Sequence, residues 1–443
     1  MNKSYAPKQR EQVTHDPQAQ QATATKGNSE TSRPMVVFGE DWGRHPSSTQ
    51  HLVKVLSTQR DIIWINSIGL RKPKFSWRDI SRIFSKLKAR FFDTTDKAGK
   101  RMNEQYEQFG PREQDVQDEC TAQKMPSSPY QFTVINPLVL PCTDQPILLW
   151  LNKFLLKRQL ASAIDALSGR PIVWTSLPTA VDYLSIFEST EQECDCVYYC
   201  GDDFSALAGV DHEFVVSKEQ ELCERASMVF AASQPLLGKL PENKTVVIPH
   251  GVDCQLFQSD SVNNGCQSTP WPQDLPLGKP IAGFYGSISQ WLDQALLLES
   301  ALALPNWNFV LIGNIECDVS LLENQQNIYF LDAKPHDALP AYLRHWQVAM
   351  LPFKNSQQIR MCNPLKLREY LASGTPIAST YFNALAEYQH LVEVASEQHS
   401  FAKTIVAASR RASVQEKEAR VSSVRQASWQ QRAADAALYL PQA

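Results

Sequence analysis

A lysine and a glutamate three residues apart, Lys366 and Glu369, lie in the stretch of this chain whose residue types bear most directly on chemistry. Pro364 suits the first turn of a helix, Leu367, Tyr370 and Leu371 fall on one face, Gly374 is placed to stop it, and Pro376 opens a short strand through Ile377. Free backbone N–H groups at a helix N-terminus favour an anion. Cation and helix end together fit a diphosphate, and the carboxylate fits ribose hydroxyls. The same spacing also fits an i,i+3 ion pair on the solvent side of a core helix. A second candidate is the carboxylate pair Asp202 and Asp203, directly after the apolar run Cys196 to Cys200. Open α/β sheets place their ligands at that end of a strand, although a turn or a helix N-cap explains the pair equally.

The elements that would position these groups follow a repeating pattern. Met35 to Phe38 predicts a buried strand, a loop from Gly39 to Thr49 leads into a helix reaching about Ser57, and Ile62 to Asn66 predicts a second strand. This β-loop-α-β opening of a doubly wound sheet lacks G-x-G-x-x-G, so a dinucleotide site at its first turn is disfavoured. Strand-like runs are expected at 132–136 and 196–200, residues 171–178 read as a strand entering a loop, a long helix runs from about Pro146 to Leu167, and a helix through Glu219, Leu222, Ala226 and Ser227 leads into the runs 228–233 and 246–253. The pattern starts again at Ile281 to Tyr285. Helix 290 to 303, strands at 308–313, 327–331 and 348–353, and a helix ending near Trp346 make the second half a repeat of the first.

The run from Pro364 through Lys366, Glu369 and Tyr370-Leu371-Ala372-Ser373-Gly374-Thr375-Pro376 resembles the donor-nucleotide motif of GT-B glycosyltransferases. The likeness extends over roughly residues 35 to 440. It includes "E-x2-L-x3-A-S-x-V-x3-S" from Glu219, "I-P-H-G-V-D-x3-F" ending at Phe257, and "F-Y-G-S-I" from Phe284. "P-I-V-W-T-S-L-P" from Pro171 is similar to a branch of bacterial polysaccharide and exopolysaccharide transferases, family 4-like or glucuronosyltransferase-like. The resemblance implies an α/β, GT-B architecture: two Rossmann-like doubly wound domains facing a cleft, with a C-terminal helix crossing back. The corresponding boundaries are a tail at 1–33, an acceptor domain at 34–255 with an insertion at about 93–129, a linker at 256–280, a donor domain at 281–425 and a crossover helix at 426–443.

What the resemblance implies for residues is equally specific. Asp41, Trp42 and His45 belong to the acceptor-side loop. Gly286 and Ser287 let backbone N–H groups approach a diphosphate, Arg360 and Asn363 reach phosphates, Lys366 neutralises the leaving group and Glu369 takes ribose hydroxyls. Asp202 or Asp203 is the candidate general base. The implied donor is a nucleotide sugar, UDP-sugar before others, with no further cofactor and no metal, and the implied acceptor is a lipid-linked saccharide. One departure stands out: retaining members carry an additional glutamate at the position occupied here by Met361. That weakens a retaining assignment and leaves the stereochemical outcome open. A GT-B sugar-nucleotide epimerase and a catalytically silent GT-B binding module are the rival classes.

Composition limits the rest. The 443 residues are 43% hydrophobic with net charge −4, enough for two or three ordinary cores and no signature of nucleic-acid binding. No run reaches the roughly 18 uncharged apolar residues of a membrane helix, so a cytoplasmic protein is expected, peripheral on the inner face of the cell membrane if it binds lipid. Ten cysteines without paired ligand spacing are read as reduced core thiols. Residues 71 to 101 hold eleven Lys/Arg against three Asp. Within them a stripe of Trp77, Ile80, Phe84, Leu87 and Phe91, over 76–91, fits either an anionic membrane surface or a core-packed helix.

Overall fold

The computed structural model describes residues 32–43, 47–68, 129–140, 145–189, 194–204, 212–258 and 270–442. The polar tail up to residue 31, His45, the basic stripe at 76–91 and nearly all of the 93–129 insertion lie outside the described residues.

Two parallel sheets carry the fold. The first holds seven strands, β1 (Met35–Phe38), β2 (Ile62–Ile65), β3 (Phe132–Ile135), β4 (Ile172–Thr175), β5 (Cys196–Cys200), β6 (Met228–Ala231) and β7 (Thr245–Val247), in the order β3-β2-β1-β4-β5-β6-β7. The second holds β8 (Ile281–Tyr285), β9 (Asn308–Ile312), β10 (Ile328–Leu331), β11 (Val348–Leu351), β12 (Ile377–Ser379) and β13 (Glu393–Val394), in the order β10-β9-β8-β11-β12-β13. Met35 pairs with Ile62 on one side and Ile172 on the other, and Ala282 with Phe309 and Val348. Each chain half therefore starts mid-sheet, winds outward, and returns to the other side of its first strand. The strand order reverses beside β1 and β8, where a doubly wound sheet opens a crevice at its carboxyl edge. Strands β1, β2, β4, β5, β8, β9 and β11 are buried at every position, as parallel strands covered on both faces must be.

Five helices position the site: α1 (Ser48–Leu56), α2 (Pro146–Asp165), α3 (His212–Arg225), α4 (Leu365–Ser373) and α5 (Trp429–Ala437). Helix α1 begins where the Ser47 hydroxyl accepts from the Gln50 N–H, a side-chain N-cap. Each sheet has its own core, and α5 belongs to the first one although it follows the second domain in sequence. Trp429, Ala433, Ala436 and Leu440 pack with the residues of the first sheet, and Trp429 stacks on His51 of α1 with centroids 4.5 Å apart. The terminal helix thus crosses back.

The expected linker needs correcting over its described parts. Phe257 and Leu275 are buried in the second core, Trp271 donates to the Leu275 carbonyl, and the Asp274 carboxylate accepts from Tyr342 while pairing with Lys334 at 2.6 Å. The described parts of this stretch are therefore anchored on the second domain through Phe257, Leu275 and Asp274. The first helix of the second half starts at Gln294, capped by Asp293, not at 290. The helix expected to end near Trp346 is the short Leu339–Leu343.

Trp429 offers a direct test of the crossover. Removing a buried tryptophan of this kind costs about 3–5 kcal/mol, so Trp429→Ala is expected to lower the denaturant midpoint of the first domain, read by chemical unfolding. An unchanged midpoint would mean that α5 is not held by this contact.

Candidate active site

Helix α4 starts at Pro364, which takes the N-cap position with extended backbone, and stops at Gly374, whose φ of 73° is the left-handed cap that glycine accepts without strain. Leu367, Tyr370 and Leu371 are fully buried, so the apolar face is the expected one. The polar pair is not a surface ion pair. Glu369 is buried, its Oε2 accepting from the Tyr285 hydroxyl at 2.6 Å and its Oε1 meeting His336 Nε2 at 2.7 Å. Burial by itself would raise the Glu369 carboxyl, but the hydrogen bond and charge of His336 and the Tyr285 hydroxyl hold it below its usual range. His336 is raised in return, its own burial being outweighed by Glu369. The carboxylate is therefore fixed in orientation and in charge by groups that no sequence spacing connects to it.

Lys366 points the other way, toward the carboxyl end of β8. Its Nζ lies 5.7 Å from the centre of the Phe284 ring and 5.6 Å from that of Trp291, within cation–π range. Burial lowers the ammonium's pKa against the opposing pull of Glu369. No carboxylate among the described residues makes a salt bridge with it. Its stem fills the place where a side chain at Gly286 would be: a Cβ there would lie 2.1 Å from Lys366 Cε, and Gly286 has φ 127°. Gly313, at the end of β9 with φ 149°, could carry no side chain either, because its Cβ would lie 2.1 Å from the Gly286 carbonyl oxygen. Bare backbone, an ammonium group and a helix N-terminus therefore converge at one strand end, an arrangement suited to phosphate oxygens.

The remaining sequence candidates separate. The Ser287 hydroxyl donates to Glu316. Arg360 is exposed, with its Nε on Asn355. The Asn363 amide is engaged at both ends, donating to the Ala232 carbonyl of the first domain at 2.8 Å and accepting from Arg368 at 2.6 Å. Asn363 therefore ties the two domains together through its side-chain amide. Beside it, Ser233 donates to the Met361 carbonyl. On the first domain, Trp42 packs against Trp64 and Phe132 with centroids 4.8 and 4.6 Å away, and the Asp41 carboxylate accepts from the Ser67 N–H.

The two aspartates differ. Asp203 is buried and paired with Lys239, whose ammonium also holds Glu219 at 2.9 Å, so its carboxylate is part of a buried charge network that includes the Tyr198 hydroxyl on Glu219. Asp202 accepts the Asp203 N–H, and burial pushes its pKa up to about 6, with the Asp203 N–H acting against the rise. After burial, the charge of Asp202 is the strongest influence raising the Cys362 thiol.

Sequence reasoning missed His336, Tyr285, His51, His250 and Lys239. His51 faces His336 across the domain junction at 5.9 Å, its own pKa lowered by burial to about 4. His250, inside the recognised "I-P-H-G-V-D" run, is buried against Ser48 Oγ at 2.6 Å and Tyr199 at 3.1 Å, and burial lowers its pKa to about 3. None of these three histidines gave a periodic or spacing signal.

No protein-family model matches the chain. It is 25% identical over 240 residues, half of its length, to a Bacillus subtilis (strain 168) protein provisionally described as the teichuronic acid biosynthesis glycosyltransferase TuaH, and the match spans 58% of that relative. Among solved structures it is similar to sucrose-phosphate synthase of Thermosynechococcus elongatus, with TM-score 0.61 and 14% identity over 92% of this chain and 98% of that one. A glycosyltransferase from Rickettsia africae ESF-5 superimposes with TM-score 0.55 and 13% identity over the same shares. An E. coli trehalose-6-phosphate structure bound with UDP-2-fluoro glucose gives TM-score 0.56 and 11% identity, again over 92% and 98%. Two Rossmann-like domains of matching strand order, joined by a returning C-terminal helix and aligned with these structures over nearly their whole length, give this chain the GT-B fold.

Proposed function

We propose that this chain is a glycosyltransferase that moves a sugar from a UDP-sugar to a hydroxyl of a lipid-linked saccharide in polysaccharide biosynthesis. The observation that carries the reading is Lys366: a cation that makes no salt bridge among the described residues, filling the space left by Gly286 at the carboxyl end of β8, next to an oriented Glu369. In this reading the β-phosphate lies against Lys366 and the N-terminus of α4, and Glu369 accepts from ribose hydroxyls through the lone pairs that Tyr285 and His336 leave open. The acceptor oxygen attacks the anomeric carbon, the bond from that carbon to the phosphate oxygen breaks, and the nucleoside diphosphate leaves with its charge balanced by Lys366. Because that lysine and the helix end supply positive charge, the reaction is proposed to need no metal. The acceptor proton goes to Asp202, which is preferred over Asp203 because Lys239 already engages the latter. The similarity to TuaH supports the polysaccharide context.

One observation favours a second reading. His51 and His336 meet beside Glu369, and a GT-B epimerase would need such groups around its sugar. Interconversion of a free sugar nucleotide without acceptor would decide for the epimerase, whereas acceptor-dependent release of nucleoside diphosphate decides for the transferase.

Lys366→Ala removes a charge-assisted contact worth about 1.5–3 kcal/mol, so the affinity for UDP is expected to fall roughly 10- to 150-fold with the fold retained. Unchanged affinity by calorimetry would remove Lys366 from the site.

Asp202→Asn is expected to lose about 100-fold or more in turnover while keeping donor affinity, and Asp203→Asn to act mainly on stability. A base must be deprotonated to act, so kcat/KM of the unaltered enzyme should rise as pH increases through about 6 and level off above it. An activity that is flat from pH 5 to 7.5, or full turnover in Asp202→Asn, contradicts the assignment.

A further inference from the structure

Helix α2 is apolar on two faces. Asn152, Leu156 and Leu160 are buried against the first domain, and two amide side chains fix that side: Asn152 brackets the backbone of Leu140, and Gln159 that of Leu138. The opposite face carries Ile147, Trp150 and Phe154, exposed at 78%, 65% and 46%, large values for side chains of this size. They follow at i, i+3 and i+7, so they form one stripe. The Trp150 and Phe154 rings stack at 6.0 Å, and the Arg158 guanidinium continues the stripe over the Phe154 ring at 5.7 Å. An exposed stripe of large apolar side chains on a helix whose other face is already packed on a core marks an interaction surface.

Charge tells which partner fits. Lys153, Lys157 and Arg158 flank the stripe, and the helix has no carboxylate before Asp165, its last residue. Among the described residues none of these three cations makes a salt bridge, although Lys153 lies within electrostatic range of Asp182. Tryptophan with a flanking cationic rim matches the interface of an anionic bilayer, where the ring sits at headgroup level and each lysine or arginine meets lipid phosphate. Location agrees as well. All strands of the first sheet run parallel, so α2, which follows β3, begins on the side where the carboxyl ends of β1 and β5 open. The exposed residues occupy its first turns, on the side of Asp202.

We infer that the outer face of α2, through Ile147, Trp150 and Phe154 with Lys153, Lys157 and Arg158, docks this protein on an anionic membrane surface. This surface is distinct from the donor site. It extends the lipid-linked acceptor reading by giving such an acceptor a short path to the carboxyl edge of the first sheet.

The test is co-sedimentation of the full chain with vesicles of phosphatidylcholine, with and without phosphatidylglycerol, at low and high salt. Wild-type protein is expected to pellet with the phosphatidylglycerol vesicles and to be released by salt. Trp150→Gln with Phe154→Gln should weaken binding at least about tenfold, and each of Lys157→Gln and Arg158→Gln about fivefold. UDP affinity, measured by calorimetry on the same variants, should stay at the wild-type value, so a failed donor site and a failed membrane surface are told apart. Three results overturn the proposal: wild-type protein in the supernatant at low salt, vesicle binding unchanged in the double variant, or a concentration-dependent dimer that the double variant abolishes, which would make the face a contact between copies of this chain.

Discussion

Room for one lysine side chain is the constraint on which the candidate donor site depends. The ends of β8 and β9 approach so closely that a Cβ on Gly313 would lie 2.1 Å from the Gly286 carbonyl oxygen, and a Cβ on Gly286 would lie 2.1 Å from Cε of the Lys366 stem. Any side chain at either glycine would displace the lysine or spread the strands. Helix α4 must therefore start where it does, with Pro364 ending the preceding loop and Gly374 stopping the helix before β12. A few ångströms of shift in α4 would move the cation off the strand end and Glu369 away from Tyr285 and His336.

The same helix start is where the two domains join. Asn363 and Met361 receive the first domain through Ala232 and Ser233, His336 faces His51, and Trp429 closes over His51 from the terminal helix. The first two contacts involve residues within a few positions of Lys366, and His336 holds the Glu369 carboxylate. Domain packing and the orientation of the donor groups are thus one problem, since Arg368 on α4 holds the very amide that reaches across to Ala232.

Much of this was legible from the chain alone, and the physical reason is periodicity. Parallel strands buried on both faces appear as short apolar runs, and the alternation of these runs with helices identified both sheets and their order of appearance. Lys366, Glu369, Gly286 and Gly374 were legible because proline and glycine mark backbone turns wherever they occur. The partners of Glu369 were not. His336 is 33 residues away in a loop, and only packing brings it to the carboxylate. Asp202 and Asp203 looked equivalent because Lys239 separates them through a contact 36 residues distant. The direction of α2 was hidden for another reason: apolar residues on both faces leave no moment to say which face is outside. The bridge that Asn363 makes to Ala232 was equally hidden, because nothing local to residue 363 points to a partner 131 residues away.

The central claim is that a nucleoside diphosphate lies between Lys366, the Gly286 and Gly313 backbone and Glu369. A crystal structure of the chain with UDP tests it most directly. The account predicts phosphate oxygens within hydrogen-bond distance of Lys366 Nζ and the backbone N–H groups after β8, with ribose hydroxyls on the Glu369 carboxylate still held by Tyr285 and His336. Nucleotide density anywhere else in the molecule, with Lys366 still packed only against Phe284 and Trp291, would contradict it.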